Sequence, residues 1–423
     1  MRTWTLVEAR RAWLAAQSLA RVEGDGRRSL GAILTAGGWM YSAGGCGPAL
    51  SVLARRPSGF RTRELDEAVS DGREVVEAPG PRGATFLVPA AERAIALAFA
   101  QRVDAERWRK LAADNLDPVQ FEALCDAVAD SVAASPRSMA DLPRRLAEPV
   151  GAVGKKLGER STLGLAVKRL LAEGRARRAP ERLDAAEYQL VAADPPAPVT
   201  DPVAAMVVPW FRANGPATLG EYAWWAGASQ REAGAAVGAA GAAMEGVQVE
   251  GLSGTRFVIA GASGQQRAPL AEASWWPAEA AAAGGVAAES WSFLPFRDNL
   301  PGRRASAFVD PVDADATVLD WNGRPARLAL VDSLHHHAVF RGSRLVGAWE
   351  WDVEGRSPIV RLFSERPDDA FTLALSELAA FIQAELGDAR FYPLDRGPQR
   401  RRRLAALQSA VGSKSTQLPS PRS

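Results

Sequence analysis

Apolar positions along the chain switch repeatedly between a helical period and a two-residue period, and the switches outline its organisation. Leu6, Ala9, Trp13, Ala16 and Ala20 recur at helical spacing with Arg10, Arg11 and Gln17 between them, so residues 5–21 read as the amphipathic first helix of a domain. Another helical stretch starts near Ser29, the glycine-rich segment GGWMYSAGGCGP follows, and a short helix ends at Ala54-Arg55-Arg56. Thr62 reads as the N-cap of a helix over TRELDEAVSDG, with Asp71-Gly72 as its stop signal. The period then drops to two. REVVEAPGPRGATFLVP is a pair of alternating runs about a Pro-Gly-Pro-Arg-Gly turn, which predicts a β-hairpin with Arg82 near its tip.

Helices followed by a hairpin recur twice more, as an internal repeat would require. In the second copy, helices over 117–133, from Ser138 and over 162–173 precede the strands of RARRAPERLDAAEYQLVAA. In the third, helices over 201–214 and from Ala217 to Trp225 and the segment SQREAGAAVGAA precede MEGVQVEGLSGTRFVIA, a hairpin about Gly251 to Gly254. Farther on, ATVLDWN, ARLALVDS, HHAVFRG, RLVGAWEWD and SPIVRLFS read as short antiparallel strands, closed by a helix over 368–386. The expected fold is α+β, with three tandem winged helix-turn-helix units over 1–110, 111–195 and 196–262. A linker over 263–290, a β-rich domain over 291–395 and a basic mobile tail over 396–423, carrying RRRR at 400–403, complete it. A length of 423 residues agrees with three units at roughly 150 residues per domain.

Composition narrows the class. With 47% hydrophobic and 24% charged residues the chain is neither disordered nor fibrous. Two cysteines, Cys46 and Cys125, exclude a disulfide framework and a multi-cysteine zinc site. The opening MRTWTLVEARRAWL has charges where a secretory signal needs an apolar run, and no stretch reaches the roughly 18 apolar residues of a membrane span. A cytoplasmic protein without membrane contact is therefore expected. The charge balance, 51 basic against 49 acidic residues, names no partner by itself. Lysine occurs only at 110, 155, 156, 168 and 414, however, so 46 of the basic residues are arginine, the side chain suited to bidentate phosphate contacts. A GC-rich coding bias would give the same excess.

A helix-turn-helix sets its last helix in the major groove while wing and helix N-termini meet phosphates. Double-stranded DNA is accordingly the expected partner. The candidate contacts are Arg82 at the first wing and, in the second unit, Arg144, Arg145, Lys155, Lys156, Arg160, Lys168, Arg169, Arg177 and Arg178, with Arg175 beside them. No metal or cofactor is expected. His335-His336-His337 is a run in which only the first and third would share a strand face, and GGCGP lacks the Gly-Lys-Ser/Thr ending of a phosphate loop. Two segments could carry a site or be ordinary core: Trp39-Met40-Tyr41-Ser42 between glycines, and Phe293 to Leu300 with its polar insert Arg297-Asp298-Asn299.

ARRAWLAAQSL, PRGATFLVPAAE, GPATLGEYAWWAG, LPFRDNL and RLVGAWEWD, in this order over almost the whole chain, together resemble the bacterial winged-helix DNA-binding family that includes the AlkZ and YcaQ types of crosslink-repair DNA glycosylase. The resemblance implies tandem winged helices about a concave DNA-binding surface and excision of N7-alkylated purines. It also exposes a departure. Where those glycosylases carry Gln-x-Gln or Gln-x-Asp, register from the helix ending at Arg55 places Tyr41-Ser42-Ala43 here. An N7-alkylpurine leaves without a strong general acid, so the enzyme chiefly positions water and stabilises an oxocarbenium-like sugar, which Ala43 cannot do. Three readings follow. One is a DNA-repair-related DNA-binding protein. Another is a glycosylase using Asp298 and Tyr41 instead of the glutamines. The last is a regulatory or protective binder of DNA or of a small molecule, with Trp39, Tyr41, Trp224 and Trp225 lining its cleft.

Overall fold

The computed structural model describes residues 1–19, 28–42, 45–56, 59–113, 118–146, 160–183, 188–260, 290–302, 304–392, 395, 397–408 and 416–417, with side chains described except at 107–113, 144–145, 160–162 and 416–417. In chain order, β1 (Arg2–Trp4) and α1 (Leu6–Ala16) precede α2 (Leu30–Gly37), β2 (Met40–Tyr41), α3 (Gly47–Arg55), α4 (Thr62–Asp71), β3 (Val75–Pro79) and β4 (Thr85–Pro89). After α5 (Arg93–Ala113) come α6 (Pro118–Ala134), β5 (Arg137–Ser138), α7 (Leu142–Leu146), α8 (Arg160–Glu173), β6 (Ala176–Ala179) and β7 (Gln189–Ala192). The order appears again in α9 (Pro202–Asn214), β8 (Ala217–Thr218), α10 (Leu219–Ala226), α11 (Gln230–Ala240), β9 (Met244–Val249) and β10 (Leu252–Ile259). Each set runs helix, strand, helix, helix, strand, strand, and in each the three strands form one antiparallel group, β2-β4-β3, β5-β7-β6 and β9-β10-β8.

The remainder is mostly β. It contains β11 (Trp291–Leu294), the hairpin of β12 (Thr317–Leu319) and β13 (Pro325–Arg327), then β14 (His337–Arg341), β15 (Arg344–Asp352) and β16 (Ser357–Leu362). After α12 (Asp369–Phe381) and α13 (Gly397–Gln408), β17 (Thr416–Gln417) completes an antiparallel sheet of order β11-β14-β15-β16-β17.

Several expectations change. The N-terminal β1 was not foreseen; it pairs in parallel with β9, so the first residues belong to the third sheet. With it, Trp13 and Leu14 of α1 pack against Val247 and Val258 of that sheet and Phe308 and Phe340 of the C-terminal part. Arg61, not Thr62, is the residue before α4, and the Thr62 N–H and hydroxyl donate to Glu385. Of ARLALVDS, only the start is strand. The expected linker lies outside the described residues except at Ser290. The expected mobile tail is, over Gly397–Gln408, a packed helix: Arg403 is buried, donating to Glu350 at 2.9 Å and to both oxygens of Asp395. Its four consecutive arginines fall around a helix, so some must face inward and take carboxylate partners there.

Both faces of sheet β2-β4-β3 are covered, so successive residues of its strands enter different cores. Val75 and Leu87 face a core shared with Trp349 and Phe371, whereas Val76, Phe86 and Val88 face one shared with Trp210 and Tyr222 of the third set. The second set has its own core of Phe121, Leu124, Val128, Val167, Leu170 and Leu190. The GGCGP segment is a packing feature: a Cβ at Gly45 would lie 2.5 Å from the Phe391 carbonyl oxygen, and the Cys46 N–H donates to the Arg390 carbonyl at 2.9 Å. Burial pushes the Cys46 thiol up, and pushes Cys125 up to about 12, so both stay protonated. No helix among the described residues is long and apolar enough to cross a membrane.

Candidate ligand cleft

A cleft of about 420 Å³ opens where three parts of the chain meet. The first sheet contributes Trp39, Tyr41, Phe86 and the turn at Arg82; α9 and α10 contribute Trp210, Glu221, Trp224 and Trp225; the C-terminal part contributes the turn Pro295 to Gly302, Trp321 and His336. This volume lies within the range of small-molecule sites and the walls are largely aromatic, so a flat ring could be buried between them. Trp39 lies 5.4 Å from Trp225 and 6.0 Å from Phe86, and its indole N–H donates to Glu92. Tyr222 holds the far side, its hydroxyl donating to the Val203 carbonyl.

The 295–302 turn is fastened from three sides. Asp298 is buried and accepts from Arg55 Nη1 at 2.8 Å, Arg55 Nη2 at 2.9 Å, the Ser51 hydroxyl at 2.7 Å and the Leu300 N–H at 3.0 Å. Burial opposes its charge, but Arg55 and the other donors prevail and hold it below the usual carboxylate range. Asn299 donates to the carbonyls of Gly37 and Trp39 at 3.0 and 2.9 Å. The Phe296 N–H donates to His337 Nδ1 at 2.9 Å, while its ring stacks on Phe391 at 4.2 Å. Between these anchors Arg297 takes a left-handed conformation, φ +66°, and its guanidinium lies 4.5 Å from the Tyr41 ring and 4.4 Å from the Trp321 ring.

Other cleft charges are balanced within the protein. Glu221 caps α10 by accepting from Thr218 and pairs with Arg256 at 3.1 Å and Arg304 at 3.4 Å. Against the effect of burial, those arginines hold it below the usual range. His336 Nδ1 lies 3.1 Å from Glu350, which Arg403 also pairs. The three histidines point to different partners: His335 Nδ1 is 3.1 Å from the Trp321 carbonyl, and His337 stacks on Trp349 at 4.2 Å. Burial drives His337 down to about 4. Among the described residues no group of three or more His, Cys, Asp or Glu could hold a metal.

Of the residues nominated from sequence, Tyr41, Asp298, Trp39, Trp224 and Trp225 come together in this cleft, joined by Arg82, which stacks on Trp224 at 3.9 Å. Asp298 sits there with every acceptor position filled, as an anchor rather than an available base. Arg297, Trp321 and His336 were not nominated. Arg297 lies in the polar insert already singled out and His336 in the histidine run, whereas Trp321 belongs to a run read only as strand; which of them faces a cleft depends on turn geometry that no spacing rule supplies.

The basic residues of the second set divide. Arg169 pairs with Asp104 and Glu173, and Arg177 donates to the carbonyls of Val69 and Ser70 at the end of α4. Arg178 pairs with buried Glu77 at 3.2 Å and stacks on Tyr188 at 3.9 Å. Burial raises Glu77 above the usual range, while Arg178 and Ser42, whose hydroxyl donates to it at 2.6 Å, pull it back. These three arginines tie the second set to the first and to α5. Lys168 is exposed. Lys155 and Lys156, like Ala43, and the side chains of Arg144, Arg145 and Arg160, lie outside the described residues.

A solved structure, the Streptomyces sahachiroi DNA glycosylase AlkZ, superposes with a TM-score of 0.64 at 18% identity, over 93% of this chain and 99% of that one, so the fold is shared. No curated protein sequence matches significantly. The family model described as DNA glycosylase AlkZ-like matches residues 45–383, most of the chain, and the protein therefore belongs to the AlkZ-like DNA glycosylase family.

Proposed function

We propose that this protein binds duplex DNA through three winged-helix units and draws a damaged purine nucleotide into the aromatic cleft, as a DNA-repair protein of the glycosylase type. The observation that carries the reading is the cleft itself: a base-sized space between Trp39, Tyr41, Trp224 and Trp225 at the meeting point of the first and third sets. Extruding a base costs a few kcal/mol of unstacking, least for a damaged one, and aromatic walls offset it. The recurring order of helices and strands supports the winged-helix assignment, with the turn at Arg82 as the first wing. Lys168 remains a candidate phosphate contact, whereas Arg169, Arg177 and Arg178 act in this reading as internal ties. Tyr41 serves as a wall of the base site and Asp298 positions its floor.

The test is affinity for a duplex carrying one 7-methylguanine against the same duplex with guanine, repeated over a salt series. A preference of about tenfold or more, falling away with salt as phosphate contacts are lost, is expected. Equal affinities would overturn the lesion reading, and a flat salt response the DNA reading.

A second reading, base excision, is favoured by His336. It lines the cleft with Nδ1 held by Glu350, an arrangement that leaves Nε2 to hold a water. Release of 7-methylguanine by the native protein, lost in His336→Asn with binding retained, is its expected signature; absence of release leaves a lesion-binding protein.

A further inference from the structure

Arg297 is out of balance with its surroundings. Of the other charged groups described for the cleft, Asp298, Glu221 and Arg304 have ion-pair partners within the protein and Arg82 stacks on Trp224, while His336 Nδ1 lies 3.1 Å from Glu350. Among the described residues Arg297 has neither a hydrogen bond nor an ion pair, and its Nε is shut away from solvent without an acceptor. It is nevertheless held in place. Its backbone has a positive φ that a side chain larger than glycine adopts only at a cost, and the flanking Asp298 and Asn299 anchors keep it so. Its guanidinium is engaged by the rings of Tyr41 and Trp321. Stacking uses the faces of a guanidinium and leaves its edge, where the N–H donors lie in one plane. A half-buried cation preset in this way, with unspent in-plane donors in the lining of a ring-sized cleft, suits a planar or tetrahedral oxyanion.

We propose that Arg297 is an anion subsite that takes a phosphate of the nucleic-acid strand, next to the nucleotide whose base enters the cleft. The assignment rests on the proposed lesion-binding function and adds the contact that fixes the strand. It also resolves an electrostatic conflict. An N7-alkylated purine is cationic, and an uncompensated guanidinium beside it would repel it; a phosphate on Arg297 removes that repulsion. Arg297 would then act as a gate on ligand class, admitting a cationic or neutral base only as part of a phosphate-bearing strand.

Two measurements on the full chain test this. The first uses small probes: 5′-dGMP, deoxyguanosine and inorganic phosphate are titrated against tryptophan fluorescence, with native protein and Arg297→Gln. The expected result is that native protein binds dGMP at least about tenfold more tightly than deoxyguanosine and than inorganic phosphate, and that Arg297→Gln removes the difference between nucleotide and nucleoside. Equal binding of dGMP by both proteins overturns the proposal. The second uses a 7-methylguanine duplex in which each linkage flanking the lesion is replaced in turn by an uncharged methylphosphonate. One of the two replacements should weaken native binding about tenfold and leave Arg297→Gln binding unchanged. If the losses from the variant and from the neutral linkage multiply instead, Arg297 does not touch that phosphate and the proposal fails. Failure of the lesion reading looks different: native protein would not distinguish damaged from undamaged duplex, while the dependence of dGMP binding on Arg297 would persist. A thermal melt of Arg297→Gln equal to that of native protein separates lost binding from lost folding.

Discussion

The ion pair of Arg55 with Asp298 gives the most direct check on how this cleft is built. Arg55 uses all five donors: Nε to the Gln17 carbonyl at 2.8 Å, Nη1 to the Ser51 carbonyl and Asp298, Nη2 to the Gln17 side chain at 3.0 Å and Asp298. Both side chains of the pair are 1% exposed. Replacing Asp298 by Asn keeps the shape but removes the charge opposite Arg55 and turns an amide NH₂ toward groups that are themselves donors. Breaking a buried pair from one side costs about 3–5 kcal/mol, because the remaining charge has neither water nor partner. Asp298→Asn should therefore lose about that much in urea unfolding followed by tryptophan fluorescence. Arg55→Met should lose a similar amount. The double variant should lose well under the sum, giving a coupling energy of about 2–3 kcal/mol. A second consequence follows from pH. Asp298 is held below its ordinary value, so its contribution is present above the unfolded-state value of 3.8 and is lost as pH falls through the lower folded value. If Asp298→Asn unfolds within about 1 kcal/mol of native protein while base release disappears, the anchor reasoning is wrong and Asp298 belongs to the chemistry.

Other outcomes are expected from the same structure. Arg403→Met leaves Glu350 and Asp395 buried without their shared cation and should cost about 3–5 kcal/mol in urea unfolding, where a mobile tail would give no change. Gly45→Ala must push back the Phe391 carbonyl and should cost about 1–3 kcal/mol, measurable as a lowered Tm. His337 is neutral when folded down to about 4 but protonates from about 6.5 when unfolded, so acidification across that window should remove about 3 kcal/mol of stability; His337→Asn, which keeps an acceptor for the Phe296 N–H, should flatten that limb of the pH profile.

Much of the fold could be read from local pattern. The hairpin about Gly80 to Gly83 stands where alternation and turn residues put it, the third hairpin turns at Glu250-Gly251 with Gly254 inside β10 rather than in the turn, and the stop at Gly227 is a left-handed cap. Local pattern failed where an element depends on a distant one. Only three residues long, β1 is strand because Val247 to Val249 offer it an edge, and nothing in RTW itself says so. The same holds for the cleft. Trp39, Tyr41, Trp224 and Trp225 were recognisable as unusual, but Trp321 joins them only because the β12–β13 hairpin folds back over the 295–302 turn and stacks on Phe296 at 5.5 Å.

Charge was the least legible feature, for a reason that bears on function. A run of arginines shows where cations are but not which carboxylates reach them, and here the partners are far apart in sequence. Glu77 meets Arg178, Asp104 meets Arg169, Asp298 meets Arg55 and Glu350 meets Arg403. Arginine suits that work because it keeps its charge when buried and spreads its donors over several acceptors. The near-equal totals of 51 and 49 therefore reflect a protein that spends many of its cations on joining its own parts. Phosphate contacts must then come from the cations left over. That is why Arg297 at the cleft, which among the described residues has ring contacts but neither a hydrogen bond nor an ion pair, carries more functional information than the basic cluster of the second set.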